Sequence, residues 1–162
     1  QILYLLFIMI ISGITMFHRL DESTIGYDDA FYAQRAKEMV LNNDIFFTKP
    51  TYGGKLRFDN KPPMMYWFLF FAGKTFGFKN WSMRLFPAIF GFLTVLLVFF
   101  TMYRMSNNIQ LAFMSAFVLN FTQQFIYYSR SATPETMFCF FLWLSLFSFV
   151  YGIEQKITFY CY

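Results

Sequence analysis

Charged residues are scarce in this chain of 162 residues: Asp, Glu, Lys and Arg make up 14% of it, against 57% hydrophobic and 25% aromatic residues. This balance argues against a water-soluble globular domain and excludes a collagenous or disordered chain, because such chains lack large apolar side chains. The net charge is +4, and the 13 Lys and Arg residues are scattered among acidic residues and do not form one basic segment. No nucleic acid is therefore expected as a partner.

Cysteine, proline and glycine are also few, with two, five and eight residues. Cys139 and Cys161 are too few for a disulfide framework and lie outside the CxxC spacing of metal sites. The sequence contains no Walker loop, no GxSxG elbow and no GxGxxG fingerprint, so soluble nucleotide binding has no support. Because the chain opens on Gln1 and is apolar from the start, we interpret it as the N-terminal part of a longer membrane protein.

Long apolar runs are the main positive feature of the sequence. Four of them, at residues 2–17, 85–103, 109–128 and 137–153, approach or reach the ~20 residues with which a helix crosses a ~30 Å hydrocarbon core. They predict an all-α, polytopic membrane protein in which short polar links join the last three spans.

Most of the charges fall in a predicted external loop over residues 18–84. Within it, the spacing of apolar residues predicts an amphipathic helix at about 29–41, and a second interfacial helix is predicted at about 63–78, where the apolar run is short for a span. The segment Tyr52-Gly53-Gly54-Lys55 predicts a turn between two short extended pieces. A count of positive charges would place this loop in the cytoplasm, but a folded loop of this length is translocated largely regardless of its charge.

Three places in the polar segments carry residues suited to chemistry. Asp28 and Asp29 stand at the start of the amphipathic helix, where a carboxylate either caps the helix or accepts a proton or cation. Lys61, in the segment DNKPP, either binds a phosphate or extends to the membrane interface. Arg130 and Glu135, in the link SRSATPE, form either part of a site or an ordinary interfacial ion pair.

The order of these segments resembles that of the GT-C superfamily of membrane glycosyltransferases. The resemblance is carried by DDAFYAQRAKEM, FDNKPPMMYW, RLFPAIFGFLTVLLV and SRSATPE, which begin at Asp28, Phe58, Arg84 and Ser129. Each segment is weak evidence alone, but four in the same order over most of the chain are specific. The branch that the chain most resembles is that of the lipid A aminoarabinose transferases and their protein O-mannosyltransferase relatives, of which it would form about the first third.

The resemblance implies a GT-C transmembrane helix bundle that transfers a sugar, with inversion, from a polyprenyl-phosphate-linked donor to a hydroxyl or phosphate of a lipid or protein acceptor. Lipid A modification and protein mannosylation are the two processes that such an enzyme would serve in the cell envelope. The catalytic residues that it implies are Asp28 as the base, Asp29 as its acidic neighbour and Glu135 as a second acid. The residues assigned to the lipid phosphate are Lys61, Arg130 and Tyr32.

The expected partners are the donor, the acceptor and membrane lipid, and the expected location is the inner or plasma membrane with the active site on the non-cytoplasmic side. No cofactor is established by the resemblance and a divalent metal is possible: aminoarabinose-type relatives usually have Glu before KPP, where this chain has Asn60. Glu135 also replaces the more usual Asp. The alternative function is a membrane transporter or channel, whose acids should lie within the spans and line an ion path.

Overall fold

The computed structural model describes residues 2–22, 26–43, 45, 51–52, 55–56 and 61–154. Within these residues the chain forms seven helices and one short antiparallel hairpin. The elements are α1 (Ile2–Phe17), α2 (Tyr27–Asn42), β1 (Thr51–Tyr52), β2 (Lys55–Leu56), α3 (Met64–Phe76), α4 (Asn80–Ser106), α5 (Ile109–Asn120), α6 (Gln123–Ser129) and α7 (Glu135–Glu154). The predicted all-helical fold class is confirmed.

Helix α4 is the centre of the bundle, and α1, α3, α5, α6 and α7 all pack against it. Two threonine hydroxyls in its middle are paired within the helix: Thr94 Oγ1 donates to the carbonyl of Phe90 and Thr101 Oγ1 to that of Leu97, each at 2.7 Å. Gly91 allows a close approach of neighbouring segments, since a Cβ atom at this position would lie 2.5 Å from Ser129 Oγ and 3.2 Å from Met16 Sδ. The absence of a side chain therefore lets α4 contact the ends of both α1 and α6.

Two apolar clusters flank α4. One contains Ile8, Met16, Val95, Ala112 and Ala116 and joins α1, α4 and α5. In the other, the apolar face of α2 packs on α3, with the ring centroids of Tyr32 and Tyr66 5.2 Å apart. The polar loop is thus folded onto the bundle through the face that the helical spacing predicted.

Two of the described helices are long and apolar enough to cross a membrane, α4 and the segment Glu135–Gly152 of α7. They cover the runs predicted at 85–103 and 137–153. Helix α1 is a shorter apolar helix of 16 residues. The chain is an integral membrane protein, while the number of crossings stays a prediction.

The span predicted over residues 109–128 consists of two helices, and whether the bent pair crosses the membrane as one span stays a prediction. Helix α5 ends at Asn120, α6 begins at Gln123, and their axes differ by 67°. At the break, the Thr122 hydroxyl donates to the carbonyl of Val118 at 2.9 Å, while the Thr122 backbone N–H turns to Leu119. The Thr122 hydroxyl thus takes the place of the Thr122 backbone N–H as the donor to Val118. The regular pattern of backbone hydrogen bonds is interrupted here, which explains the bend.

The elements of the polar loop agree with their predicted type but differ at their ends. Helix α2 corresponds to the helix predicted at about 29–41, and α3 to the helix predicted at about 63–78. Helix α3 has 13 residues, about 20 Å of helix. Strands β1 and β2 pair antiparallel, as the turn predicted. Gly53, Gly54 and Asn60 lie outside the described residues.

Candidate active site

Asp28 and Asp29 lie inside the first turn of α2. The helix begins at Tyr27 and its N-cap is Gly26, which makes no side-chain capping bond. The capping role considered for these acids is therefore wrong, although both still gain from the positive end of the helix dipole. Neighbouring residues of a helix point about 100° apart, so the two carboxylates face different surroundings.

Asp29 is buried in a network that joins three parts of the chain. Its side chain accepts one hydrogen bond from Arg84 Nη2 at 3.0 Å and another from the backbone N–H of Ala132 at 2.9 Å. Arg84 is 2% exposed and donates through Nη1 to the carbonyl of Leu20 at 3.0 Å. Both oxygens of Asp29 are engaged by protein groups, which favours a positioning role, and the catalytic role expected from the sequence stays a prediction.

Asp28, in contrast, faces solvent. Its side chain is 68% exposed, and Oδ1 lies 4.0 Å from Nζ of Lys61, whose side chain is 40% exposed. An ion pair so open to water holds its partners weakly. The Asp28 carboxylate is therefore accessible to a substrate and lies beside a cation.

Lys61 is held over two aromatic rings of α2. Its Nζ atom is 4.8 Å from the ring centroid of Phe31 and 4.5 Å from that of Tyr32, distances typical of cation–π contacts. Tyr32 is 4% exposed. Its ring contacts the lysine, and the direct phosphate contact expected for Tyr32 stays a prediction.

Arg130 is committed to the C-terminal end of α1. Nη1 donates to the carbonyl of Thr15 at 3.1 Å, and Nη2 donates to those of His18 at 2.7 Å and Arg19 at 3.2 Å. These are carbonyls at a helix end, where a cation is favourable. Its guanidinium thus joins the C-terminal end of α1 to the link between α6 and α7. These contacts do not support a phosphate-binding role for Arg130.

Glu135 is the first residue of α7 and is exposed. No hydrogen bond or ion pair joins it to another described residue, so the considered ion pair with Arg130 is not formed. Its side chain forms no ion pair with Lys61, and its role as a second acid stays a prediction.

A cavity of about 460 Å³ opens beside the start of α2. Gly26, on the N-terminal side of Asp28, and Asp29, on its C-terminal side, both line it. Its described lining consists of Gly26, Asp29, Arg84, Gln123, Ile126, Tyr127, Arg130 and Ser131. The structure thus brings Asp29 and Arg130 to this cavity, and Asp28, Lys61 and Tyr32 to the neighbouring surface of α2.

Arg84, Gln123 and Tyr127 were given no role by the sequence. For Arg84 a signal existed, because a charged residue at the edge of an apolar run usually has a buried partner. For Gln123 and Tyr127 there was none, since only the bend between α5 and α6 brings them to the cavity.

The described residues do not fit a divalent metal. They contain no group of three or more His, Cys, Asp or Glu side chains that could hold one. The oxygens of Asp29 are bonded to Arg84 and Ala132, so the two adjacent carboxylates do not converge on one point.

A bundle of apolar helices, two of them long enough to cross a membrane, with acids, cations and a cavity at one end, defines an integral membrane protein. The family model described as dolichyl-phosphate-mannose-protein mannosyltransferase matches residues 2–160, and the chain belongs to this family. The resemblance to GT-C glycosyltransferases is thereby confirmed at the family level, but the match does not extend to the aminoarabinose branch.

An uncharacterized protein from Aquifex aeolicus (strain VF5) is 36% identical to this chain over 120 residues. The match covers 74% of this chain and 23% of that relative, so the chain spans about a quarter of the relative's length. No solved structure matches the chain.

Proposed function

We propose that the protein containing this chain is a membrane glycosyltransferase. It transfers a sugar from a polyprenyl-phosphate-linked donor to a lipid or protein acceptor, with inversion. The observation that carries the proposal is the exposed pair of Asp28 and Lys61, a carboxylate and an ammonium 4.0 Å apart at the start of a helix beside a cavity. Membership of the mannosyltransferase family supports the same chemistry.

In this mechanism Asp28 is the general base. It takes the proton of the acceptor hydroxyl as the acceptor oxygen bonds to the anomeric carbon of the sugar. The bond between that carbon and the phosphate oxygen breaks, and its electron pair leaves with the polyprenyl phosphate. A single displacement of this kind inverts the anomeric centre.

Lys61 stabilises the departing phosphate. An ammonium is a suitable point charge for a phosphate, and charge-assisted hydrogen bonds are stronger than neutral ones. Both side chains are largely exposed, so Lys61 can turn toward the phosphate while Asp28 turns toward the acceptor. The rings of Phe31 and Tyr32 keep the lysine near the site when no donor is bound.

A transporter or channel has less support. An ion path needs acids within the helices that cross the membrane. Among the described residues, Asp28, Asp29 and Glu135 lie in the first turns of α2 and α7. No acid lies within α4 or α5.

Asp28→Asn in the full-length protein tests the mechanism. The change keeps the size of the side chain and removes its negative charge, and loss of a general base typically lowers the rate by ~10²–10⁴. We expect turnover of a polyprenyl-phosphate-linked sugar to fall by that factor with an unchanged melting temperature. Exposed Asp21 carries the same substitution as a control, Asp21→Asn, and should retain full activity. Near-normal turnover in Asp28→Asn would refute the role of Asp28.

A further inference from the structure

The cavity beside α2 has on one wall two polar side chains that form no hydrogen bond with the described residues of the chain. Gln123 is exposed, and Tyr127 is 61% exposed. Among the residues that the structure describes, none forms a hydrogen bond with the Gln123 amide or the Tyr127 hydroxyl. The Tyr127 hydroxyl reaches across the cavity to 3.9 Å from where a Cβ atom of Gly26 would be. Two neutral groups that both donate and accept hydrogen bonds thus face the space next to Asp28.

The charged groups of the cavity are engaged with the protein. The oxygens of Asp29 are bonded to Arg84 and Ala132, and Arg130 is bonded to the end of α1. Among the described lining residues Asp29 is the only acid, against two arginines. A cationic ligand would therefore find a net positive wall and no uncommitted carboxylate.

These features fit an uncharged, hydroxyl-rich ring. Sugar hydroxyls donate and accept hydrogen bonds, as the amide of Gln123 and the phenol of Tyr127 do, and the Tyr127 ring offers an apolar surface to the C–H face of a pyranose. The volume of about 460 Å³ lies within the usual range of small-molecule sites, ~300–1,000 Å³.

We propose that this cavity binds the sugar ring of the donor, and that Gln123 and Tyr127 bind its hydroxyls and select an uncharged ring. The inference rests on the proposed function, because Gly26 and Asp29 line the cavity on either side of Asp28. A ring bound there lies within one helical turn of the proposed base.

The test measures binding of polyprenyl-phosphate-mannose to the full-length protein without any acceptor. Tyr127→Phe and Gln123→Ala each remove hydrogen-bonding groups from an exposed side chain, so folding should be unaffected. Loss of a neutral hydrogen bond lowers affinity by about 3- to 10-fold. We expect the Kd of this donor to rise by that factor in each variant, while the Kd of sugar-free polyprenyl phosphate is unchanged.

Gln124→Ala is the matched control. Gln124 is the next residue of α6 and has the same side chain, but it does not line this cavity and lies in a more open depression beside it. Its donor Kd should equal that of the wild type. Polyprenyl-phosphate-aminoarabinose, whose ring is cationic, should bind the wild type more weakly than the mannose donor.

Each contrary result has its own meaning. An unchanged donor Kd in Tyr127→Phe and Gln123→Ala overturns the sugar site, as does equal weakening of sugar-free polyprenyl phosphate. An unchanged donor Kd with a raised KM for the acceptor overturns it too, because the cavity would then bind the acceptor. Tighter binding of the aminoarabinose donor refutes the selection of an uncharged ring. Failure of the proposed function looks different: donor binding would respond to the variants as expected, but no acceptor would receive the sugar.

Discussion

Asp28 and Asp29 are adjacent in the chain, and their side chains have opposite environments. Asp28 is exposed beside Lys61, while Asp29 is 7% exposed and paired with buried Arg84. A buried charge that loses its partner is strongly destabilising, whereas an exposed ion pair contributes little. Substitution of Asp28 should therefore impair catalysis, whereas substitution of Asp29 should destabilise the fold.

Asp29→Asn should lower the free energy of unfolding by about 3–5 kcal/mol, because it leaves the buried Arg84 guanidinium without its counter-ion. Combining Asp29→Leu with Arg84→Met should recover much of that loss, since neither charge is then buried. Thermal unfolding of the purified protein in detergent measures both effects. Glu22→Gln removes the exposed ion pair of Arg19 and Glu22 and serves as the control with almost no effect. Equal stabilities of Asp29→Asn and Glu22→Gln would contradict a structural role for Asp29.

Lys61→Ala should weaken the use of the donor much more than it weakens the fold. The lost charge-assisted contact with the lipid phosphate is worth about 1.5–3 kcal/mol, which raises the donor KM by about 10- to 150-fold. The lysine itself is 40% exposed in its side chain, so the melting temperature should change little. Lys61→Arg keeps the charge and should retain part of the affinity. Unchanged donor kinetics in Lys61→Ala would show that the lysine only extends to the interface.

At the scale of helices, the bend between α5 and α6 creates the site wall. Asn120, at the end of α5, is fully buried and accepts a hydrogen bond from the Thr15 hydroxyl of α1 at 3.0 Å. This contact fixes the end of α5 against α1, and the chain then turns by 67° into α6. Gln123 and Tyr127 reach the cavity because of this turn.

At Gly91, helix α4 packs closely against the C-terminal end of α6. A side chain at this position would collide with Ser129, whose Oγ and Cβ atoms would be 2.5 and 2.7 Å from the new Cβ atom. Since overpacking of this kind typically costs ~1–3 kcal/mol, Gly91→Ala should lower the melting temperature in detergent. Gly13→Ala in α1, where nothing lies within 4 Å of the new atom, is the control and should be neutral or slightly stabilising. Equal melting temperatures for the two variants would contradict the close packing of α4 on Ser129.

At the scale of the whole molecule, the polar segments that carry Asp28, Lys61 and Arg130 gather at one end of the bundle. Arg130 contacts the end of α1, and Arg84, near the start of α4, contacts Leu20 just after α1. The two ends of α3 also lie on the same side, because Lys61, before α3, contacts Asp28, and Arg84, after α3, contacts the neighbouring Asp29. We infer from this convergence that α3 does not cross the membrane and that the loops around Asp28 and Glu135 face the same side.

Cysteine labelling of the full-length protein tests this topology after replacement of its native cysteines. Asp21→Cys and Glu135→Cys, both at exposed positions, should react with an impermeant reagent from the same, non-cytoplasmic side. Asn107→Cys, at the far end of the 27-residue α4, should react only from the other side. Labelling of positions 21 and 135 from opposite sides would contradict a shared site.

Much of the fold was predictable from the sequence because it depends on local or summed properties. Apolar runs predicted the helices now seen as α1, α4 and α7, and helical spacing predicted the buried face of α2 with Tyr32, Ala36 and Met39. The turn at Gly53-Gly54 predicted the β1–β2 hairpin. The bend at Thr122 was missed, because whether its hydroxyl replaces a backbone donor cannot be read from hydropathy.

The sequence by itself determined that this is a membrane protein, that its polar residues lie in segments between apolar helices, and to which family it belongs. These properties follow from composition, periodicity and motif order, which do not depend on packing. Only the tertiary structure decided which of two neighbouring acids is exposed, what Arg84 and Arg130 bind, and that Gln123 and Tyr127 face a cavity. These facts depend on contacts between residues far apart in the chain, such as Asp29 with Arg84 and Ala132 or Arg130 with Thr15. Such partners are chosen by how the helices pack, and no local pattern in the sequence contains that information.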